Sequence, residues 1–238
     1  MTTARHTIHQ TSVIAALLDG VYDGETTVGS LRRRGDFGIG TFEGLDGELI
    51  LLDDICYRIR DDGTATVAAD GEGVPYAVVT RFEPHLSFEI TGRHTRAEVT
   101  ALIDERLGSA NYMYAVRVDG VYERMTVRAV HVQQQPYRPL VQATAEQKVT
   151  EFSDVSGTVV GFRTPAFEEG LSVPGYHAHV LLDERRSGGH VLDHVILRGR
   201  VQVCVGTDLH LELPRTPEFA RANLDPEDLR EQVDRAES

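Results

Sequence analysis

Gly175-Tyr176-His177-Ala178-His179-Val180-Leu181-Leu182, followed by Gly188-Gly189-His190, reads as two strands joined across a Gly-rich bend. Side chains alternate faces along a strand, so His177 and His179 point the same way, about 7 Å apart along the backbone. That spacing lets two imidazoles converge on one ion. His190 becomes a third ligand if the bend brings the chain back alongside. Three protein ligands with an open position suit a catalytic metal site rather than a structural one. An isolated His-x-His is more often a pair of surface histidines. The third histidine, the Gly-Gly bend and the apolar Val180-Leu181-Leu182 favour a metal. Spacing alone leaves two alternatives open. His194 shares parity with His190, and a cupin-like set would take His177, His179 and Glu184. Glu184 lies an odd number of residues from His179, which turns it to the other face of an unbroken strand.

Strands dominate on either side of this hairpin. Glu48-Leu49-Ile50-Leu51-Leu52 and Ile55-Cys56-Tyr57-Arg58-Ile59 read as a hairpin turning at Asp53-Asp54. Thr64 to Ala68 and Tyr76 to Phe82 continue that sheet. Tyr112 to Val118 and Tyr122 to Val132 read as two strands joined at Asp119-Gly120. Thr11 or Ser12 is placed to cap a short helix over 14–18 that Gly20 ends, and a second short helix is expected from Thr27 to Arg33. The clearest helix runs from Thr95 to Leu107. Thr95-x-x-Glu98 forms a capping box, and Val99, Leu102, Ile103 and Leu107 recur at helical spacing.

Pro136 and Pro139 break the texture, and a helix-compatible stretch runs from Thr144 to Lys148. Gly157 to Phe162, the histidine hairpin, Val201 to Val205 and Leu209 to Leu213 then read as strands. The expected fold is α+β, with a mixed-sheet amino-terminal half carrying short helices and an antiparallel carboxy-terminal half. A soft boundary near residue 140 gives two regions, 1–140 and 141–238, with the metal site between them. The acidic residues Asp225, Glu227, Asp228, Glu231, Asp234 and Glu237 crowd the end of the chain and read by default as a solvated tail.

The 238 residues are 41% hydrophobic and 26% charged, an ordinary globular composition. A net charge of −13 argues against a nucleic-acid partner. Cys56 and Cys204 sit in apolar, strand-like runs and read as buried thiols rather than a disulfide. Met1-Thr2-Thr3-Ala4-Arg5-His6 lacks a secretory apolar core, and no stretch is long enough to span a membrane, so a cytoplasmic location is expected.

Several stretches together resemble the alpha-acetolactate decarboxylase family. They are Leu17-Leu18-Asp19-Gly20-Val21-Tyr22-Asp23-Gly24, Gly35-Asp36-Phe37-Gly38-Ile39-Gly40-Thr41-Phe42 and Leu45-Asp46-Gly47-Glu48-Leu49-Ile50. Gln135-Pro136-Tyr137, Gly157-Thr158-Val159-Val160-Gly161-Phe162-Arg163-Thr164-Pro165 and the histidine segment follow in the same order. The resemblance implies a zinc-dependent enzyme that converts 2-acetolactate to (R)-acetoin and carbon dioxide, as a homodimer. It also implies that the ligands are His177, His179 and His190, which by analogy settles the question of His194. By the same analogy Glu48 and Arg128 are catalytic and Thr41 lines the substrate pocket. A second glutamate comes from the tail, with Glu237 the first choice and Glu231 the second. Val127, before the arginine, stands where a more polar residue is expected.

Those residue types suit the chemistry implied. Loss of carbon dioxide from a 3-oxo acid leaves an enolate. A zinc ion held by neutral imidazoles is a Lewis acid able to chelate the ketone and hydroxyl and stabilise an enediolate. Arg128 has the planar fork that suits a carboxylate, and Glu48 or Glu237 would protonate the enediolate. Without the resemblance, Glu48 is an ordinary turn-exit residue, Arg128 a surface ion-pair partner and Glu237 a frayed end. The rival readings are a cupin-type oxygenase or isomerase and a ligand-sensing module with a closed structural zinc.

Overall fold

A computed structural model describes residues 5–237; the polar stretch Met1 to Ala4, read above for a missing leader, lies outside them. In chain order the strands begin with β1 (Thr7–Thr11), β2 (Thr26–Thr27), β3 (Phe37–Thr41), β4 (Glu48–Leu52), β5 (Ile55–Ile59), β6 (Ala65–Val67) and β7 (Gly73–Val74). They continue with β8 (Tyr76–Thr80), β9 (Leu86–Thr95), β10 (Met113–Ala129), β11 (Lys148–Thr164), β12 (Gly175–Leu182), β13 (Gly188–Gly206) and β14 (Asp208–Glu212). The helices are α1 (Ile14–Leu18), α2 (Val28–Arg32), α3 (Arg96–Arg106), α4 (Leu140–Thr144), α5 (Pro217–Arg221) and α6 (Leu229–Glu237).

The hairpin of β4 and β5 turns at Asp53-Asp54, where both residues take left-handed φ values of +52° and +68°. Aspartate tolerates that region because its short side chain bonds locally. The hairpin belongs to a seven-stranded sheet in the order β14-β1-β8-β3-β4-β5-β6. This sheet is mixed, because β1 runs parallel to β14 and antiparallel to β8. Both of its faces are covered. Leu49 and Leu51 pack with Val28 and Leu31 of α2 on one side, while Ile50 and Leu52 pack against the second sheet on the other. A near-continuous apolar run is what such a doubly covered strand needs.

The second sheet is antiparallel, in the order β10-β11-β12-β13-β9. β10 also pairs with β13, so the ladder closes on itself. Its interior is filled by Tyr122, Met125, Val180 and Ile196, and α3 adds Val99 and Ile103. The core between the two sheets joins Phe37, Ile39 and Ile50 to Ala115, Phe162, Leu181 and Cys204. Strands from both sides of residue 140 interleave: β14 is an edge of the first sheet, and β9 and β10 pair with β13 in the second. The mixed α+β class read from the sequence is the class observed.

Several local expectations are corrected. Asp119-Gly120 is not a turn, because β10 runs unbroken through it. Gly120 pairs with Gly157 on one side and Gly199 on the other. A Cβ at Gly120 would meet Ile196 Cδ1 at 2.7 Å, so this glycine makes room for packing rather than for a bend. The residue capping α1 is Val13, with no side-chain cap, rather than Thr11 or Ser12. The helix expected from Thr144 to Lys148 instead ends at Thr144 as α4, and β11 starts at Lys148. The acidic tail forms α6, whose Val233 and Ala236 are buried against the rest of the chain. The sequence reading also missed β9. α3 and its capping box are found as expected. Cys56 and Cys204 are free and buried. Among the described residues, no helix is long and apolar enough to cross a membrane.

Candidate metal centre

The histidine pair emerges from strand parity. His177 and His179 lie on β12, and β13 returns so that His190 directly opposes His179. On its other side His190 opposes Arg128 of β10. Opposed residues project to one face, so Arg128, His190 and His179 form a row, with His177 two residues along. One nitrogen of each histidine lies within 4.8 Å of the others, close enough to hold a metal ion. The ring centroids are 5.3, 5.0 and 5.3 Å apart.

The first sheet supplies the facing wall. Thr41 of β3 opposes Glu48 of β4. The two sheets meet where His179 Nδ1 donates to the Leu49 carbonyl at 2.9 Å. A carbonyl only accepts, so the proton is on Nδ1 and the Nε2 lone pair points into the cavity. Glu48 Oε2 lies 3.3 Å from that Nε2. Glu237, at the end of α6, places Oε2 at 3.4 Å from His177 Nε2, 3.6 Å from His190 Nε2 and 3.6 Å from Arg128 Nη2. The cavity these residues share is small, with a volume of about 40 Å³. Its apolar wall is Ile14, Leu17, Leu45, Val130 and Leu140.

Burial governs the electrostatics. It pushes His177 and His190 well below the ordinary imidazole range, and His179 down to about 4, with Arg128 adding to each effect. Neutral imidazoles are the form that binds metals. Burial also pushes Glu48 up to about 7 against the opposing charge of Arg128, with Glu237 adding to the rise. Glu237 is pushed up to about 7 by burial, again opposed by Arg128. His179 Nε2, Arg128 Nε and Glu237 Oε2 are buried without a hydrogen-bond partner. Orphaned buried polar atoms are uncommon and costly. A cation among the imidazoles and an anionic ligand beside Arg128 would satisfy them, so the donor set fits a metal.

The family model for alpha-acetolactate decarboxylase matches residues 8–226. The chain is 42% identical to alpha-acetolactate decarboxylase of Bacillus subtilis (strain 168) over 230 residues, which is 97% of this chain and 90% of that one. The chain belongs to the alpha-acetolactate decarboxylase family. The family's enzyme from Methanosarcina mazei is 41% identical over 234 residues, 98% of this chain and 81% of that one. A crystal structure of alpha-acetolactate decarboxylase from Bacillus subtilis strain 168 superposes with a TM-score of 0.96 at 41% identity, covering 98% of this chain and 99% of that one.

Family membership and geometry together disfavour the cupin-type set. Glu184 is exposed in the turn between β12 and β13, outside the histidine cluster. His194 also stands apart. The pairing shifts between Thr126 and Val127, where Leu192 is passed over, and such a bulge reverses strand parity. His194 consequently faces a separate cavity with Arg96 and Val99 and packs edge-on to Tyr122. Glu231 is exposed and ion-paired with Arg235. The Thr41 hydroxyl donates to the Gly47 carbonyl at 3.0 Å while the residue lines the cavity. Tyr76 and the apolar wall were missed by sequence reasoning. No local motif marks them, and only the pairing of β8 with β3 puts Tyr76 at the site.

Proposed function

We propose that the chain decarboxylates 2-acetolactate to acetoin and carbon dioxide at the metal centre between its sheets. The observation that carries the reading is the shared cavity: three neutral imidazoles, one buried arginine and two buried carboxyls meet there in a chain of this family. His177, His179 and His190 would hold the metal, with zinc favoured by an all-nitrogen set that leaves an open position. When bound, the ion supplies a Lewis acid that draws electrons toward the ketone and hydroxyl oxygens of the substrate.

The chain's own residues account for the rest. Arg128 ends the histidine row beside His190, where its fork pairs with the substrate carboxylate and fixes its angle to the neighbouring carbonyl. Glu48 and Glu237, both lifted by burial, hold protons near neutral pH and can deliver one to the carbon that loses carbon dioxide. They flank the cavity from different elements, so delivery from one of them sets the chirality of the product, which we infer to be (R). Ile14, Leu17 and Leu140 receive the methyl groups and exclude water, and Thr41 adds its methyl and an oxygen lone pair to the same wall.

A homodimer belongs to the same reading and is supported by the exposed Leu209 on edge strand β14. A cytoplasmic location is supported by two free thiols, and the absence of a nucleic-acid partner by the charge of −13. The reading is tested by incubating the protein with racemic 2-acetolactate and resolving the product on a chiral column. Formation of (R)-acetoin above the spontaneous rate is expected. A product level equal to the spontaneous background, in protein carrying one metal per chain, would overturn the reading.

A further inference from the structure

β13 changes partners part-way along one of its sides. From Gly188 to His190 it pairs with β12, and from Val195 onward it pairs with β9. Between the two stretches the ladder is open, and the bulge at Leu192 falls in that gap. His179 and His190 are the last opposed residues of β12 and β13. Two further steps of the same register would set His177 opposite Leu192, but the pairing stops short of them. The ladder therefore fixes the spacing of His179 from His190 and leaves that of His177 from His190 unset on this side.

Arg96 fills the gap. It follows directly on Thr95, which pairs with Val195 at the end of β9 and caps α3. Its Nη1 donates to the Leu192 carbonyl at 3.1 Å and its Nη2 to the Tyr176 carbonyl at 3.0 Å. Tyr176 immediately precedes His177. One guanidinium thus spans the two strands, supplying two donors where the ladder between them is missing. Its planar fork keeps the two bonds at a fixed separation. On its other side β12 is held by β11, where His177 opposes Phe162. The ring centroids of His177 and His190 lie 5.0 Å apart.

We propose that Arg96 is a positioning residue for the metal centre: its bridge between the Tyr176 and Leu192 carbonyls holds His177 at the distance from His190 that one ion requires. This inference rests on the reading of the three histidines as metal ligands. A purely electrostatic role would act in the opposite direction, because removing a cation from beside a metal site lets the ion bind more tightly. The sign of the change in metal affinity therefore separates position from charge.

The test measures zinc affinity by competition with a chromophoric chelator in wild type, Arg96→Ala, His177→Ala and the double variant. Arg96→Ala is expected to bind zinc about 10- to 100-fold more weakly, the range for losing an outer partner of a ligand. In the His177→Ala background the same substitution should have no further effect, since the ladder alone spaces His179 from His190; the cycle isolates that coupling. Arg96→Lys keeps the charge and loses the fork. It should weaken binding as well, and it carries the cycle if Arg96→Ala does not fold. Unchanged or tighter zinc binding in Arg96→Ala, wild-type affinity in Arg96→Lys, or an equal loss with and without His177 overturns the proposal. Acetoin formation by the wild type is read in parallel. A wild type that binds no zinc sinks the metal reading and this inference together. A wild type that binds zinc but makes no acetoin sinks the decarboxylase reading alone, and the cycle still decides the role of Arg96.

Discussion

His179 and Leu49 tie the two sheets together at the metal centre: the ring Nδ1–H of one donates to the main-chain carbonyl of the other at 2.9 Å. The bond fixes both the tautomer and the orientation of a buried ring, leaving Nε2 as the free lone pair. A backbone carbonyl inside a strand cannot swing away, so the ligand is preorganised by the fold itself.

His179→Ala should therefore fold and lose its metal. The variant is expected to bind zinc more than about 100-fold more weakly, beyond the upper range for losing only an outer partner of a ligand. Metal content by atomic emission after dialysis checks this. Full metal retention would show that the ion sits elsewhere.

Arg128 is 3% exposed, and its Nε lacks a partner. Arg128→Lys keeps the charge and removes the planar fork. The expected outcome is a drop in kcat/KM of about 10- to 100-fold, from the loss of a charge-assisted hydrogen bond of roughly 1.5–3 kcal/mol, with metal content unchanged. Wild-type kinetics in this variant would remove Arg128 from substrate binding.

Glu237 reaches the cavity because Val233 and Ala236 anchor α6, 3% and 0% exposed. Deleting residues 229–238 should leave the three histidines and their metal in place while lowering kcat at least as far as Glu237→Gln does. Metal analysis and steady-state kinetics on both variants decide the point. A truncated protein as active as wild type would show that the tail carboxyl has no part in the chemistry.

Glu168 is buried with Oε2 unpartnered, and burial raises its pKa above the ordinary 4.5. Between the unfolded and folded values the native state holds the extra proton, so stability falls as pH rises through that window. Glu168→Gln removes the ionisation. It should raise the Tm at pH 8, with the gain disappearing by about pH 4, below the unfolded value. Melting curves at the two pH values check the sign, and a gain that is equal at both would contradict it.

What could be read from the sequence is what depends on neighbours along the chain. The Asp53-Asp54 turn, the Thr95 capping box and the shared face of His177 and His179 are set within a few residues. His194 shows the limit: its parity with His190 is undone by a bulge at Leu192 that only the partner strand β10 imposes. Gly120 shows another, since a glycine needed for packing beside Gly157 and Gly199 looks like a glycine needed for a turn. Tyr76 depends on the pairing of strands far apart in sequence. α6 carried a signal, Leu229, Val233 and Ala236 at helical spacing, but the surrounding acids obscured it.

The most direct measurement is a titration of metal-free protein with zinc, reading acetoin formation from 2-acetolactate at each addition. Activity should rise in proportion to added zinc and level off at one equivalent per chain. Full activity before any zinc is added, or a plateau at one bound zinc with no acetoin above the spontaneous rate, would contradict a metal-dependent decarboxylase built on His177, His179 and His190.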